Sequence, residues 1–223
     1  MDEKRLKIIL ASGSPRRKEL LKELLNKYNL SYEVIVSDVD EDPLKREIRN
    51  PEELVIKLSY IKAKDIFDNI KEEYIDYDLV VIGGDTIVWF DDSFLGKPKD
   101  EADAINMLER LQGKTNQVYT GTTVVYKPKG GREAEFKSVT SRLDVEMNPM
   151  TKEDIVQYVK TGEPMDKAGA YAVQGIGSKN IKMYVGNFDT AVGLNTEELE
   201  KILKEFGIVW INRKMKKQRW YLW

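Results

Sequence analysis

The sequence predicts a single α/β domain, and three observations support this prediction. Apolar runs typical of strands alternate along the chain with segments whose apolar residues have helical spacing. Neither an internal repeat nor a low-complexity linker divides the chain. The 223 residues are also enough to bury a large hydrophobic core, so intrinsic disorder is not expected.

The first predicted elements are a strand, a helix, a second strand and a second helix. Residues 8–11 are a short apolar run, and residues 20–28 place four leucines and a tyrosine on one helix face. Residues 32–39 alternate imperfectly between apolar and polar side chains, as in a strand. Pro51 suits the first turn of the next helix. The buried face of that helix carries Leu54, Leu58, Ile61 and Phe67.

Residues 79–90 are the most apolar stretch of the chain and predict a central strand. Their length and β-branched side chains favour a strand, and the Gly83-Gly84 pair is expected to interrupt it. A helix follows over residues 101–111 and ends near Gly113, a residue type suited to a left-handed C-cap.

The second half of the chain predicts a hairpin followed by shorter elements. Two strand-like stretches, residues 117–126 and 133–145, are joined by a Pro-Lys-Gly-Gly turn. The later segments are a helix at 152–159, a glycine-rich segment at 161–177, strands at 183–185 and 191–194, and a helix at 196–206.

The C-terminal residues differ in composition from the rest of the chain. Residues 208–223 contain five lysines or arginines, four aromatic residues and no acid. Such a tail can stack on nucleic acid, but the interpretation that we favour is a terminal strand with a self-packing tail, so nucleic acid is not expected as a partner. The predicted domain spans residues 1–212, and a basic and aromatic tail spans residues 213–223.

Composition excludes several kinds of chemistry. The chain has no cysteine and no histidine, which rules out thiolate nucleophiles, disulfides, imidazole acid–base catalysis and the usual zinc sites. Carboxylates, lysines, arginines, hydroxyls and oxygen-bound hard cations remain. The net charge of −2 gives no overall attraction to nucleic acid or membranes. The apolar run near the N-terminus is too short for a signal or membrane segment, so we expect a cytoplasmic protein.

The start of the first predicted helix is a candidate phosphate site. Ser14 is placed as the N-cap and Pro15 as the first helical residue. The two arginines that follow oppose the helix macrodipole unless an anion offsets them. Free backbone N–H groups together with the Ser12 and Ser14 hydroxyls suit a phosphate. The alternative is a helix start whose arginines point to solvent or to Glu19.

Asp85 is a second candidate, because an ionised carboxylate within an apolar strand is costly unless it is paired, binds a metal or faces a cleft. The alternative is a bulge at the two preceding glycines that lets Asp85 bond locally with Thr86. Lys97 and Lys167 lie beside glycines, from where a lysine can reach an anion. Taken singly, each is more typical of a solvated lysine.

Five motifs together resemble the Maf-like nucleoside triphosphate pyrophosphatases. They occur in the family's order over residues 8–206, and this order makes the resemblance specific although no single motif is. The motifs are ASGSPRR at 11–17, GDT at 84–86, GKP at 96–98, YTG at 119–121 and GEPMDKAGAYAVQG at 162–175.

The resemblance implies a fold, a reaction and a cofactor. The fold would be mixed α/β, with a long twisted sheet and two lobes around a cleft, related to the inosine triphosphate pyrophosphatases. The reaction would convert a nucleoside triphosphate and water into the monophosphate and pyrophosphate, with a divalent cation, Mg²⁺ or Mn²⁺.

The resemblance also implies roles for individual residues. Asp85 would be the general base, and Glu41 would share a metal site with Asp85, although Asp40 competes for the position of Glu41. The residues implied to bind the nucleotide are Ser12, Arg16, Lys62, Thr86, Lys97 and Gln174.

Gln174 matches the family branch that acts on dTTP and UTP. Its amide can donate to O4 and accept from N3–H of thymine or uracil, and modified pyrimidines with the same edge should be accepted too. A flipped amide would suit cytosine, so other contacts must fix it. The alternatives are 7-methyl-GTP or another modified purine triphosphate as substrate, and a non-enzymatic cell-division regulator that binds nucleotide. Besides the substrate, the expected partner is a second copy of the chain in a homodimer.

Overall fold

One seven-stranded mixed sheet forms the centre of the molecule. The computed structural model describes residues 5–131 and 133–209, so the predicted tail and the domain boundary at residue 212 lie outside the described residues. The strands are β1 (Leu6–Leu10), β2 (Glu33–Val34), β3 (Asp78–Phe90), β4 (Ser93–Leu95), β5 (Thr115–Lys127), β6 (Glu135–Met147) and β7 (Ile181–Gly186).

Helices lie around this sheet, most of them capped by a polar side chain. They are α1 (Pro15–Asn26), α2 (Asp42–Glu47), α3 (Pro51–Ile70), α4 (Glu101–Leu111), α5 (Lys152–Lys160), α6 (Phe188–Val192) and α7 (Thr196–Glu205). Three 3₁₀ segments, Glu163–Asp166, Ala168–Ala170 and Gly175–Asn180, connect α5 to β7. In the part of the chain that the structure describes, no helix has the length and apolar composition needed to cross a membrane.

The order of strands across the sheet is β2-β1-β3-β5-β6-β7, and β4 pairs with the outer end of β3. Strand β1 lies parallel to both β2 and β3, whereas β3, β5, β6 and β7 are successively antiparallel. The long central pair runs from Leu79 opposite Lys127 to Trp89 opposite Gln117. The predicted α/β class with one mixed sheet is confirmed.

Helix α3 lies directly on the middle of the sheet because glycines face it. A Cβ atom at Gly83 of β3 would be 2.3 Å from Ser59 O, and one at Gly121 of β5 would be 2.1 Å from Val55 O. Both distances are far below van der Waals contact, so only glycine permits this approach. The predicted interruption of the central strand is wrong, because Asp78–Phe90 is continuous; Gly83 permits the packing of α3, and Gly84 faces the Arg17 side chain.

Two apolar cores lie towards opposite ends of the long strands, and a cleft opens between them. The first core packs α1 and α7 on β1 and the near half of β3, through residues such as Leu21, Leu24, Val80 and Leu203. The second packs α4 and α5 on the far halves of β3, β5 and β6, through residues such as Leu108, Val118, Leu143 and Tyr158. This arrangement has the two lobes that were expected.

Two predicted strands differ from the structure. Residues 32–39 form only the two-residue strand β2, because β1 ends at Leu10 and leaves the following residues without a neighbour to pair with. Residues 191–194 lie in α6 and the turn after it, where the Asn187 side chain caps the helix. Helix α2, which buries no side chain, and the three-residue strand β4 were not predicted.

Candidate active site

A cleft of about 980 Å³ lies between the two lobes. One wall contains the start of α1, α2 and α3, the floor contains β3, and the other wall contains the turn after β4, α4 and the 3₁₀ segments. Most of the predicted site residues line this cleft although they are far apart in sequence. They are Arg16, Glu41, Lys62, Asp85, Thr86, Lys97 and Gln174.

Lys62 joins two carboxylates at the floor of the cleft. Its Nζ donates to Asp85 Oδ1 at 2.5 Å and lies 2.6 Å from Glu41 Oε1. Lys62 belongs to α3, Asp85 to β3, and Glu41 directly precedes α2, so three elements meet at one ammonium group. The alternative of a bulge that bonds Asp85 locally to Thr86 is not observed, because β3 pairs with β5 in unbroken register at this point.

Glu41, rather than Asp40, lies at the cleft. The Asp40 side chain is turned back to accept a hydrogen bond from Asp42 N at 3.0 Å. Glu41 Oε2 lies 2.5 Å from Lys45 Nζ, so Glu41 is bound by a lysine at each oxygen. Burial raises the pKa of Glu41, but the hydrogen bonds and charges of Lys45 and Lys62 outweigh burial and lower the pKa below its ordinary value.

The start of α1 has the predicted cap, but its second arginine turns inward. Ser14 Oγ accepts a hydrogen bond from Arg17 N at 3.5 Å. The Arg17 guanidinium donates to Gly193 O at 2.8 Å, to Ser12 Oγ at 3.2 Å and to Thr86 Oγ1 at 3.0 Å. These three partners are all neutral. Among the described residues, no carboxylate contacts the Arg17 guanidinium, which lies in the cleft wall.

Ser12 is placed differently from the expectation. It is buried and is not among the cleft-lining residues, and its hydroxyl accepts from the Arg17 guanidinium and from Ser14 N. Ser12 therefore acts on the cleft through Arg17. Arg17 had no role of its own among the residues predicted from the sequence. The available signal was a second cation in the first helical turn, where the macrodipole disfavours it.

Arg16 reaches from the first lobe towards the second. Its Nη1 lies 3.5 Å from Asp166 Oδ2, and the Arg16 side chain is about one-third exposed. Asp166 has a closer partner in Lys167 Nζ, at 2.5 Å. The contact of Arg16 with Asp166 is thus a long ion pair at the surface, a kind that contributes little to stability, and an anion in the cleft can compete for Arg16.

Lys97 and Gln174 lie at the rim of the second lobe, and both are exposed. Gly169 N donates to Gly96 O at 3.0 Å, which holds the turn containing Lys97 against the 3₁₀ segments. Neither the Lys97 nor the Gln174 side chain has a hydrogen-bond partner among residues 5–131 and 133–209, so both are available to a ligand. Lys167, in contrast, donates to Glu163 O at 2.6 Å and is part of the wall.

The chain resembles known proteins over nearly its whole length. The family described as "Maf-like protein" matches residues 7–206. The dTTP/UTP pyrophosphatase of Caldanaerobacter subterraneus subsp. tengcongensis is 40% identical over 209 residues, which are 93% of each chain. The dTTP/UTP pyrophosphatase of Lachnoclostridium phytofermentans is 42% identical over 201 residues, 90% of this chain and 95% of that protein.

A solved structure described as a HAM1 protein from Coxiella burnetii covers 90% of this chain and 99% of its own, with 15% identity and a TM-score of 0.46. The match of the family to residues 7–206, the identity of about 40% to relatives of similar length and the gathering of four of the five motifs at one cleft lead to one conclusion: the chain belongs to the Maf-like protein family.

Proposed function

We propose that the protein hydrolyses dTTP and UTP to the nucleoside monophosphate and pyrophosphate, and thereby removes these and modified pyrimidine triphosphates from the nucleotide pool. The observation that carries the proposal is the contact of Lys62 with both Asp85 and Glu41 at the floor of a cleft large enough for a nucleotide. Relatives at about 40% identity that span the same length are named dTTP/UTP pyrophosphatase. A function in the nucleotide pool also implies a cytoplasmic location. The homodimer remains a prediction.

The charges of the cleft suit a triphosphate. Arg17 contacts only neutral groups, and the ammonium groups of Lys97 and Lys99 contact no carboxylate within the described part of the chain. Among residues 5–131 and 133–209, Arg16 is bound only through its long ion pair with Asp166. These side chains can therefore form charge-assisted hydrogen bonds with phosphate oxygens when a nucleotide enters.

Asp85 is the proposed general base. A water molecule attacks the α-phosphorus, its proton passes to Asp85, and the bond from the α-phosphorus to the oxygen bridging to the β-phosphorus breaks, which releases pyrophosphate. Asp85 Oδ1 is held by Lys62, whereas Oδ2 accepts no hydrogen bond from the described residues. The bound oxygen fixes the carboxylate, and the free oxygen is available to the water.

The site also fits a divalent cation. Glu41 and Asp85 supply only oxygen ligands, which Mg²⁺ and Mn²⁺ prefer. Residues 5–131 and 133–209 contain no group of three acidic side chains placed to hold a metal, and one or two carboxylates completed by substrate phosphates are usual for Mg²⁺. When bound, the cation would offset the negative charge of the phosphate oxygens.

We propose that Gln174 recognises the base, because its side-chain amide has no hydrogen-bond partner among the described residues and lies at the same cleft as Asp85. The test is a panel of triphosphates with detection of pyrophosphate, containing dTTP, UTP, 5-methyl-UTP, CTP, ITP and 7-methyl-GTP. We expect dTTP, UTP and 5-methyl-UTP to be hydrolysed fastest. Faster hydrolysis of 7-methyl-GTP or ITP would contradict the substrate assignment, and binding without hydrolysis of any nucleotide would favour the regulatory protein.

A further inference from the structure

The backbone on both sides of Gln174 is hydrogen-bonded to two side chains, Glu163 and Tyr158. Glu163 Oε1 accepts from Ile176 N at 3.0 Å, and Oε2 accepts from the next backbone N–H at 2.7 Å. On the other side, Tyr158 OH accepts from Ala172 N at 3.1 Å. Gln174 is therefore held two residues before and two residues after its own position.

The two anchoring side chains are bound to each other and to the core. Tyr158 OH donates to Glu163 Oε2 at 2.8 Å, and Tyr158 is 2% exposed in the second apolar core. Burial raises the pKa of Glu163, but hydrogen bonds from Tyr158 and the two backbone N–H groups, with the charge of Lys167, lower it overall. Glu163 is therefore ionised at neutral pH and can accept all three hydrogen bonds.

Two glycines show how closely these side chains approach the backbone. Gly175 has φ +72°, and a Cβ atom there would be 2.4 Å from Glu163 Oε1. A Cβ atom at Gly177 would be 2.2 Å from Tyr158 OH. Any side chain at either position would displace the anchoring pair, so the segment that carries Gln174 is built around it.

We infer that Glu163, supported by Tyr158, is a positioning residue that determines base specificity by fixing Gln174 against the edge of the pyrimidine. This inference rests on the proposed function, in which Gln174 contacts the base. Two hydrogen bonds from one amide discriminate between bases only when the amide is held in place. Glu163 contributes to this by fixing the backbone of residues 172–177, and therefore the point from which the Gln174 side chain extends towards the base.

The direct test is Glu163→Gln. The substitution keeps the shape of the side chain but replaces one carboxylate oxygen, an acceptor, with an NH₂ group that faces the donors Tyr158 OH and two backbone N–H groups. We expect KM for UTP to rise about tenfold, kcat to stay within about threefold, and the ratio of kcat/KM for UTP to that for CTP to fall about tenfold. Tyr158→Phe should change the ratio in the same direction. Glu153→Gln is the matched control, because Glu153 is exposed on α5 and its side chain makes no hydrogen bond with the described residues.

A double-mutant cycle tests whether Glu163 acts through Gln174. If it does, Glu163→Gln has little further effect on the ratio once Gln174→Leu is present. The ratio does not depend on the fraction of active enzyme, so partial misfolding does not obscure it. If Glu163→Gln yields no folded protein, Tyr158→Phe carries the same test. Additive effects, or an unchanged ratio in the folded variants, would overturn the inference.

The proposed function can fail separately. If the wild-type protein hydrolyses neither UTP nor dTTP, the substrate assignment is wrong. Hydrogen exchange of the backbone amides at residues 172–177 then tests separately whether Glu163 holds this segment. We expect faster exchange there in Glu163→Gln than in Glu153→Gln. Equal exchange in the two variants would show that Glu163 does not hold this segment.

Discussion

Lys62 and Asp85 meet where a helix crosses a sheet: Lys62 Nζ on α3 lies 2.5 Å from Asp85 Oδ1 on β3. Both side chains project from regular elements of the core, and both are largely buried, at 14% and 12% exposure. Their geometry is thus set by rigid elements, which gives more precise positioning than loops do. The segment around Gln174, which we propose to contact the base, is in contrast irregular backbone.

The first prediction is that Asp85→Asn removes triphosphate hydrolysis. An amide cannot accept the proton of the attacking water, so we expect a loss of at least ~10²-fold in kcat. Pyrophosphate release measures the effect, and circular dichroism verifies the fold. Asp76→Asn, at an exposed turn, should retain full activity. Wild-type activity in a folded Asp85→Asn protein would exclude Asp85 as the general base.

Lys62→Met is expected to destabilise the protein at neutral pH, because Asp85 then loses its ammonium partner and Glu41 keeps only Lys45. The pKa of Glu41 is lowered in the folded state, so its contribution to stability is present above the pKa of the unfolded chain and is lost as pH falls through the folded pKa. The difference in the free energy of unfolding between wild type and variant should therefore shrink in acid.

Urea denaturation at several pH values between neutral and acidic measures this difference. Lys64→Met is the matched control, since Lys64 lies on the same helix but is exposed and pairs with Asp68. A stability difference for Lys62→Met that does not depend on pH would contradict the electrostatic role of Lys62.

Substitution of the two neighbouring arginines should separate binding from stability. Arg17→Ala removes hydrogen bonds to Ser12, Thr86 and Gly193, and we expect it to destabilise the protein by about 2–3 kcal/mol. Arg16→Ala removes only a long surface ion pair and an unfavourable charge on the macrodipole. The stability of the ligand-free protein should then change by no more than about 0.5 kcal/mol, while KM for the nucleotide rises.

Thermal unfolding and steady-state kinetics of the two variants, measured side by side, provide the comparison. A clearly destabilised Arg16→Ala protein would show that Arg16 is structural, and an unaltered Arg17→Ala protein would show that the buried guanidinium network contributes little.

Gln174→Leu should reduce kcat/KM for dTTP and UTP by about 5- to 150-fold, which corresponds to about 1–3 kcal/mol for base donors and acceptors left unpaired. Gln174 is exposed in the free protein, so stability should not change. Gln157→Leu, at an exposed position on α5, controls for a surface amide replaced by leucine. Equal losses for pyrimidine and purine triphosphates would indicate that Gln174 does not read the base.

The fold was predictable where local patterns are strong. The Ser14 cap and the leucine spacing locate α1, and Gly113, with φ +67°, ends α4 as expected. Strand β2 was overestimated, because its length depends on where β1 stops, and no local pattern encodes that. Similarly, Gly83 looked like a break in a strand, since the helix that lies against it comes from another part of the chain.

The site was predictable through its motifs rather than through individual residues. Helical spacing places Lys62 near the face of Leu54 and Leu58, but only the fold shows that Lys62 meets Asp85, while Lys64 pairs with Asp68 at the surface. The same applies to Arg16 and Arg17, which are adjacent but point in different directions. Glu163 carries no signal of its own, because two of its three hydrogen-bond donors are backbone groups more than ten residues away.

Because α3 packs directly on glycines of β3 and β5, activity is expected to depend on these glycines as well as on the residues of the cleft. A methyl group at Gly83 or Gly121 would push the helix away from the sheet and carry Lys62 away from Asp85. Neither glycine has a side chain that could touch a substrate. In a library selected for loss of activity, both would nevertheless be recovered together with Asp85, so an alanine scan of this protein would place apparent catalytic positions in the middle of its sheet.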